Sequence, residues 1–378
     1  MAKHRKLHID PKIEAILQKA FALDNGRTKL ALLEEAIRMA DAQNNVDLGF
    51  QIRQELIDTA TFAGYQEKAL VAFSWCLAQC DRSPDDYSEE EMLWKYKWVA
   101  GSLWYFPSIS RAQIDATLED MTRRYQRAGR SLRPVSKLQC RFAMHRGDAE
   151  AARAFQKQWR DAEADESTDC AACERNDQVE FFFFLGKDER GVEWAEPIVR
   201  GKLKCGEIPH LTLSKLLLPL VRLGRIEEAV QRHLRGYRLT YRNKEFLHEV
   251  AEHLAFLVLT DNLARAVKVF TRHLPWALET MVLTRRFQFD LAAVFLMDRL
   301  LETGQTTIAV RLPKEFPLAR NGGTCAVAAL RDHFAADLRD LAGQFDARNG
   351  TDYFARRCAE PQEWRKLLTP YKIESGLL

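Results

Sequence analysis

Apolar residues return along this chain at helical spacing, as in the stripe Leu70, Phe73 and Leu77, and the stripes are cut at regular intervals. At each cut a glycine or other turn residue is followed five positions later by a small one. The pairs are Gly26/Ala31, Gly64/Ala69, Pro107/Ala112, Gly147/Ala152, Gly186/Gly191, Gly224/Ala229, Asp261/Ala266 and Gly304/Ala309, with 37 to 43 residues between successive turns. Two antiparallel helices need a tight turn, and glycine supplies the left-handed backbone that ends the first of them. A small residue one turn into the second helix then lets the two axes approach. The pattern predicts about eight stacked helical hairpins rather than a single globular core.

The local text of three hairpins carries a more specific signal. Val221-Arg-Leu-Gly-Arg-Ile-Glu-Glu-Ala-Val230 resembles the centre of a tetratricopeptide repeat, and Phe62 to Leu70 and His145 to Ala152 are similar to it. Aromatic residues follow the small one by four positions at Ala69/Phe73 and Ala266/Phe270. The resemblance reaches from about residue 10 to 315. The units are longer than the family's period of about 34 residues, most lack its early tryptophan, and its closing proline is irregular. What the resemblance implies is an all-α, right-handed superhelix of stacked hairpins that binds a peptide or partner helix in its concave groove.

Composition divides the chain further. A basic start, Met1 to His8, reads as disordered; helical repeats are expected over 9–160 and 169–318, and a helical cap over 319–378. The acidic stretch 161–168 breaks the apolar period and reads as an elongated loop or a join. A second polar loop, Asp81 to Glu91, holds a capping-box pattern in Ser88 and Glu91. The apolar string Val179 to Leu185, with four consecutive phenylalanines, covers every face of a helical turn and predicts burial between neighbours.

One constellation has metal-ligand spacing. Cys170 and Cys173 stand as Cys-x-x-Cys at a helix start expected to be capped by Asp169, and Cys205 and His210 lie just past the end of the following helix. In an antiparallel hairpin those two ends are adjacent, so three sulfurs and an imidazole could form a tetrahedral Zn²⁺ site. A redox pair is the alternative, because a helix N-terminus lowers a thiol pKa, and small-residue packing is the third reading. Cys76 and Cys80 fall on an apolar stripe and read as core, and no base stands near Cys325. His248 and His253 are five apart, which puts them about 140° around a helix rather than on one metalloprotease face, and they read as surface or groove residues.

Two surfaces qualify as binding candidates. Arg232, Arg235 and Arg238 share a broad helix face, with Arg222 and Arg225 at its entry and Arg242 and Lys244 beyond. Such a face would hold acidic side chains, a terminal carboxylate or phosphates, unless neighbouring acids such as Glu227 and Glu228 balance it. Trp94 and Trp98 are one turn apart and either pack in the core or receive a partner's side chain.

The remaining features exclude classes. The net charge of +3, from 56 basic and 53 acidic residues, is too balanced for bulk nucleic-acid binding. No membrane-spanning run and no secretory signal are read, and eight cysteines without a dense framework fit a reducing cytoplasm. No phosphate loop, dinucleotide fingerprint or nucleophile elbow occurs, so no enzyme is expected. The expectation is a cytoplasmic scaffold for a protein or peptide with an acidic element. A receptor whose superhelix closes on a small peptide or metabolite, and a zinc- or redox-linked regulator, are the alternatives.

Overall fold

The computed structural model describes residues 9–314, 316–318 and 323–374. The basic start and Arg320 to Gly322 lie outside the described residues. The fold is all-α: nineteen α-helices and one short β-ribbon among the described residues. None of these helices is long and apolar enough to cross a membrane.

Antiparallel hairpins follow one another as α1 (Pro11–Phe21) with α2 (Arg27–Ala42), α3 (Val46–Phe62) with α4 (Gln66–Arg82), and α5 (Glu89–Ala100) with α6 (Arg111–Arg127). Then come α7 (Arg133–His145) with α8 (Ala149–Asp161), and α9 (Ala171–Phe184) with α10 (Asp188–Val199). The next first helix is split into α11 (His210–Lys215) and α12 (Leu217–Arg222), because Pro219 cannot bond to the carbonyl four residues back. It pairs with α13 (Ile226–Thr240), and α14 (Leu247–Leu259) pairs with α15 (Leu263–Glu279).

The expected turns fall between helices at seven of the eight positions. At Gly64, Gly147, Gly186, Gly224, Asp261 and Gly304 the backbone is left-handed, with φ from 58° to 83°. The small partner has a direct steric reason at Gly191, where a Cβ would lie 2.2 Å from the Phe183 ring. Ala69, Ala152, Ala229 and Ala266 are likewise buried. Ala31 and Ala112 are exposed instead, and Gly26 has an extended φ of 174°. There the close approach falls to Leu30, Leu33 and Ile114.

The eighth position corrects the sequence reading. Gly304 ends α16 (Leu283–Glu302), but Ala309 lies in a strand, β1 (Thr307–Ala309), paired antiparallel with β2 (Thr324–Ala326). The run Thr306-Thr307-Ile308 favours an extended backbone, and Pro313 and Pro317 bar a helix. The partner of α16 is α17 (Val327–Asn349), reached through the ribbon. Ser88 precedes α5 without a side-chain cap, whereas α6 has a full capping box in Ser110 and Gln113.

Polar contacts repeat with the hairpin period, which shows that equivalent positions of neighbouring hairpins stack. Glu34 pairs with Lys68, Asp58 with Lys95 and Asp81 with Arg124, at separations of 34, 37 and 43 residues. Asp188 pairs with Arg222, Asn176 with Thr212, Tyr237 with His273 and Asp261 with Arg299, at 34, 36, 36 and 38.

The chain divides into two compact units, 1–141 with 153–168 and 142–152 with 169–378. In the first, the acidic stretch forms an ordered loop, because Asp165 accepts hydrogen bonds from the N–H groups of Ser131 (2.7 Å) and Ser167 (2.9 Å). In the second, α14 and α16 are buried on almost every face. The C-terminal helices α18 (Tyr353–Arg357) and α19 (Glu360–Arg365) follow α17. Tyr353 lies on Gly147, where a Cβ would meet its ring at 2.3 Å, and Phe345 and Phe354 pack on His145. Beyond α19, the N–H groups of Thr369 and Tyr371 bond to the carbonyls of Leu259 and Thr260.

Candidate functional site

The structure brings the three central cysteines together. Cys170 takes the N-cap position of α9 in place of the expected Asp169, with extended backbone, and Cys173 sits one turn in. Residues at N-cap and three beyond face the same unpaired N–H groups, so their side chains converge. Cys205 comes from the segment 200–209 between α10 and α11, where its N–H bonds the carbonyl of Ile208 at 3.0 Å. The three sulfurs lie within 4.8 Å of one another, with Cys173 and Cys205 at 3.4 Å. Ala172, Ile198 and Ile208 form a small buried cluster against which Cys173, Leu203, Cys205 and Leu211 pack. Cys170 is exposed.

The electrostatics differ across the trio. Burial pushes the Cys170 thiol up, but bonds from the N–H groups of Cys173 and Ala172 and from the neighbouring thiols outweigh it and leave its pKa below 9.0. Burial and the adjacent sulfurs raise that of Cys173. His210 is not in the sulfur group: its ring stacks on Phe246, with centroids 5.1 Å apart and planes 11° from parallel. Burial lowers its pKa, against an opposing contact with the backbone of Glu207. Of the four residues that spacing put together, the structure groups Cys170, Cys173 and Cys205 and leaves His210 apart.

The arginine face is largely occupied by the chain's own carboxylates. Arg222 holds Asp188 through two bonds, 2.6 and 2.7 Å, because Asp188 opens the second helix one repeat earlier. Arg225 binds Glu228 at 2.6 and 2.8 Å and lowers its pKa. Arg232 lies 3.8 Å from the same Glu228, and Arg235 donates to the carbonyl of Val199 at 2.9 Å. Arg238 and Arg242 are exposed, the latter 5.1 Å from the Tyr241 ring centroid.

The tryptophans form a row with a third aromatic. Phe62 at the end of α3 meets Trp98 of α5 edge to face at 5.2 Å, and Trp98 meets Trp94 at 6.2 Å. Trp94 is 40% exposed. The Lys97 ammonium lies 3.3 Å from its ring centroid and donates to the carbonyl of Ser167 at 2.9 Å, so the indole is held by a cation–π contact.

Two polar groups packed inside the second unit escaped the sequence reading. His253, expected on the surface, is fully buried, its Nδ1 3.1 Å from that of His233. Tyr237 bonds His273 at 3.0 Å beside them. Burial lowers all three imidazoles, His233 and His273 to about 3. The available signal was spacing, since 233, 253 and 273 each sit on a different helix of consecutive hairpins. The second group is Lys215, 3.3 Å from Glu180; that carboxylate, Glu252 and Glu249 outweigh burial and keep it protonated.

No family model matches the chain, and no curated protein matches it. Among solved structures, it is similar to a "circular tandem repeat protein with novel repeat topology and enhanced subunit contact surfaces" at 14% identity, with 94% of this chain and 87% of that one covered and a TM-score of 0.16.

Proposed function

We propose that this protein is a non-enzymatic scaffold, of the stacked-hairpin type, that takes a protein or peptide partner on the aromatic row of its first unit. The observation that carries the reading is the row Phe62, Trp98 and Trp94, contributed by the first helices of successive hairpins and left part exposed at Trp94. A rigid, half-exposed aromatic is the kind of anchor on which interfaces concentrate their affinity. The cation–π contact of Lys97 fixes the ring before a partner arrives, which lowers the ordering cost of binding. As a separate site for an acidic element, Arg238 and Arg242 supply exposed positive charge in the second unit. A reducing cytoplasm fits eight cysteines with no dense framework.

The test is affinity purification of the intact chain from its native extract at moderate salt, with mass spectrometry, followed by titration of the retained protein. A stoichiometric partner retained by the wild type and lost from Trp94→Ala/Trp98→Ala, with helicity unchanged, supports the reading. Equal retention by that variant removes it, and loss on Arg238→Ala/Arg242→Ala alone moves the site to the second unit.

A further inference from the structure

We propose that Cys170, Cys173 and Cys205 form a three-thiolate site for a soft divalent cation of the Zn²⁺ class, with the fourth coordination position open to a small ligand such as water. In tetrahedral zinc thiolate sites the metal–sulfur distance of about 2.3 Å places sulfurs about 3.8 Å apart. The 3.4 Å between Cys173 and Cys205, and the 4.8 Å limit on the set, lie around that value. They are far from the roughly 2.05 Å of a disulfide. Thiolate donors select zinc-like ions over hard, oxygen-seeking ones.

The surroundings suit such an ion. The apolar cluster of Ala172, Ile198 and Ile208 shields one side of the sulfurs, while the exposed Cys170 leaves an entry path. The N-terminus of α9, a helix of 14 residues, favours negative charge on the thiolate at its N-cap. His210 faces Phe246 rather than the sulfurs, so the chain itself fills three positions. Binding is a ligand exchange without redox change: three thiols lose their protons to solvent as three metal–sulfur bonds form, and the ion sheds water. The ion then cross-links the start of α9 to segment 200–209, which has no helix or strand of its own.

The experiment uses the intact, reduced chain with Zn²⁺ and, as a spectroscopic probe, Co²⁺. One equivalent of either is expected to bind, with sulfur-to-cobalt charge-transfer absorption in the near ultraviolet. Alkylation of the three cysteines should slow at least tenfold, and amide exchange should slow in 169–173 and 200–209. Cys173→Ser and Cys205→Ser should abolish the absorption, whereas His210→Ala should retain it. Since a serine variant could misfold, the alkylation and exchange readouts on the wild type decide the matter independently. Absence of stoichiometric metal, unprotected thiols, a native Cys173–Cys205 disulfide, or loss of binding in His210→Ala would each overturn the three-thiolate site.

Discussion

The two units use the same hairpin but fill the space between hairpins differently. In the first, neighbouring helices are joined by ion pairs: Lys29 with Glu55 (2.7 Å), Arg53 with Asp41 (2.7 Å), Lys95 with Asp58, and Arg124 with Asp81 (2.8 Å). The second unit also has ion pairs between hairpins, Asp188 with Arg222 and Asp261 with Arg299, but there α14 and α16 are sheathed in apolar residues, and three buried imidazoles, His233, His253 and His273, stand neutral beside them. A repeat thus needs only that equivalent positions meet; charge pairs and apolar packing both satisfy that condition. They respond differently to pH and to substitution.

The largest expected effect is on acidification. His233 and His273 have folded-state pKa values of about 3 against an ordinary 6.5, and burial holds His253 and His145 well below it too. The unfolded chain binds more protons below 6.5, so their contribution is complete above that value and is lost as pH falls toward 3. The fall from 6.5 to about 3 at His233 or His273 corresponds to on the order of 5 kcal/mol at the acid limit. Asp290, raised by burial to about 8 despite Arg286, works in the opposite sense, as do Glu249 and Asp298, also raised by burial, against the larger set of lowered imidazoles that includes His210 and His333. In the first unit, bonding to Arg124 lowers Asp81 from 3.8, so that stability is lost only as pH falls below about that value. Amide exchange at stepwise pH should show 169–373 opening near pH 5 while 9–141 stays protected. Simultaneous opening would break the contrast.

Removal of a charge hub should be the next in size. Arg124 is buried and serves Asp81, Glu89 and Asp120 together. Arg124→Ala leaves three carboxylates facing one another and should cost about 3 kcal/mol in the first unit, read by chemical denaturation. A loss below about 1 kcal/mol would place this pair network with ordinary surface bridges.

The second unit has a steric counterpart. Gly147→Ala meets both a left-handed φ of 74° and the Tyr353 ring, and should cost about 2 kcal/mol. Combining it with Tyr353→Ala should recover the clash but not the backbone strain, a coupling that a double-mutant cycle measures. The smallest effect is expected at Trp94→Ala, within about 1 kcal/mol because the ring is part exposed. A larger loss would make the aromatic row a structural device rather than a docking surface.

Much of the fold was legible in the residues. Turn chemistry and helix periodicity are local, so Gly64, Gly186 and Gly224 announced their hairpins, and Cys-x-x-Cys at a helix start brought Cys173 toward Cys205 through hairpin geometry alone. The Gly304 turn misled because a left-handed glycine ends a helix without specifying the next element, and Thr307 and Ile308 then chose a strand. The candidate surfaces were less legible. Arginines at helical spacing identify a face, but Asp188, 34 residues before Arg222, decides whether that face is free.

What the sequence determined by itself is the unit: helix, turn, helix, and the period at which they recur, because these rest on backbone dihedrals and on which residues repeat along one strip of surface. What only the tertiary structure decided is which side chains from different units meet. His253 lies against His233, Phe62 meets Trp98 edge to face, and Tyr353 rests on Gly147, far away along the chain. Burial, charge neutralisation and steric fit are properties of such pairs, and a linear pattern carries no term for a partner in another hairpin.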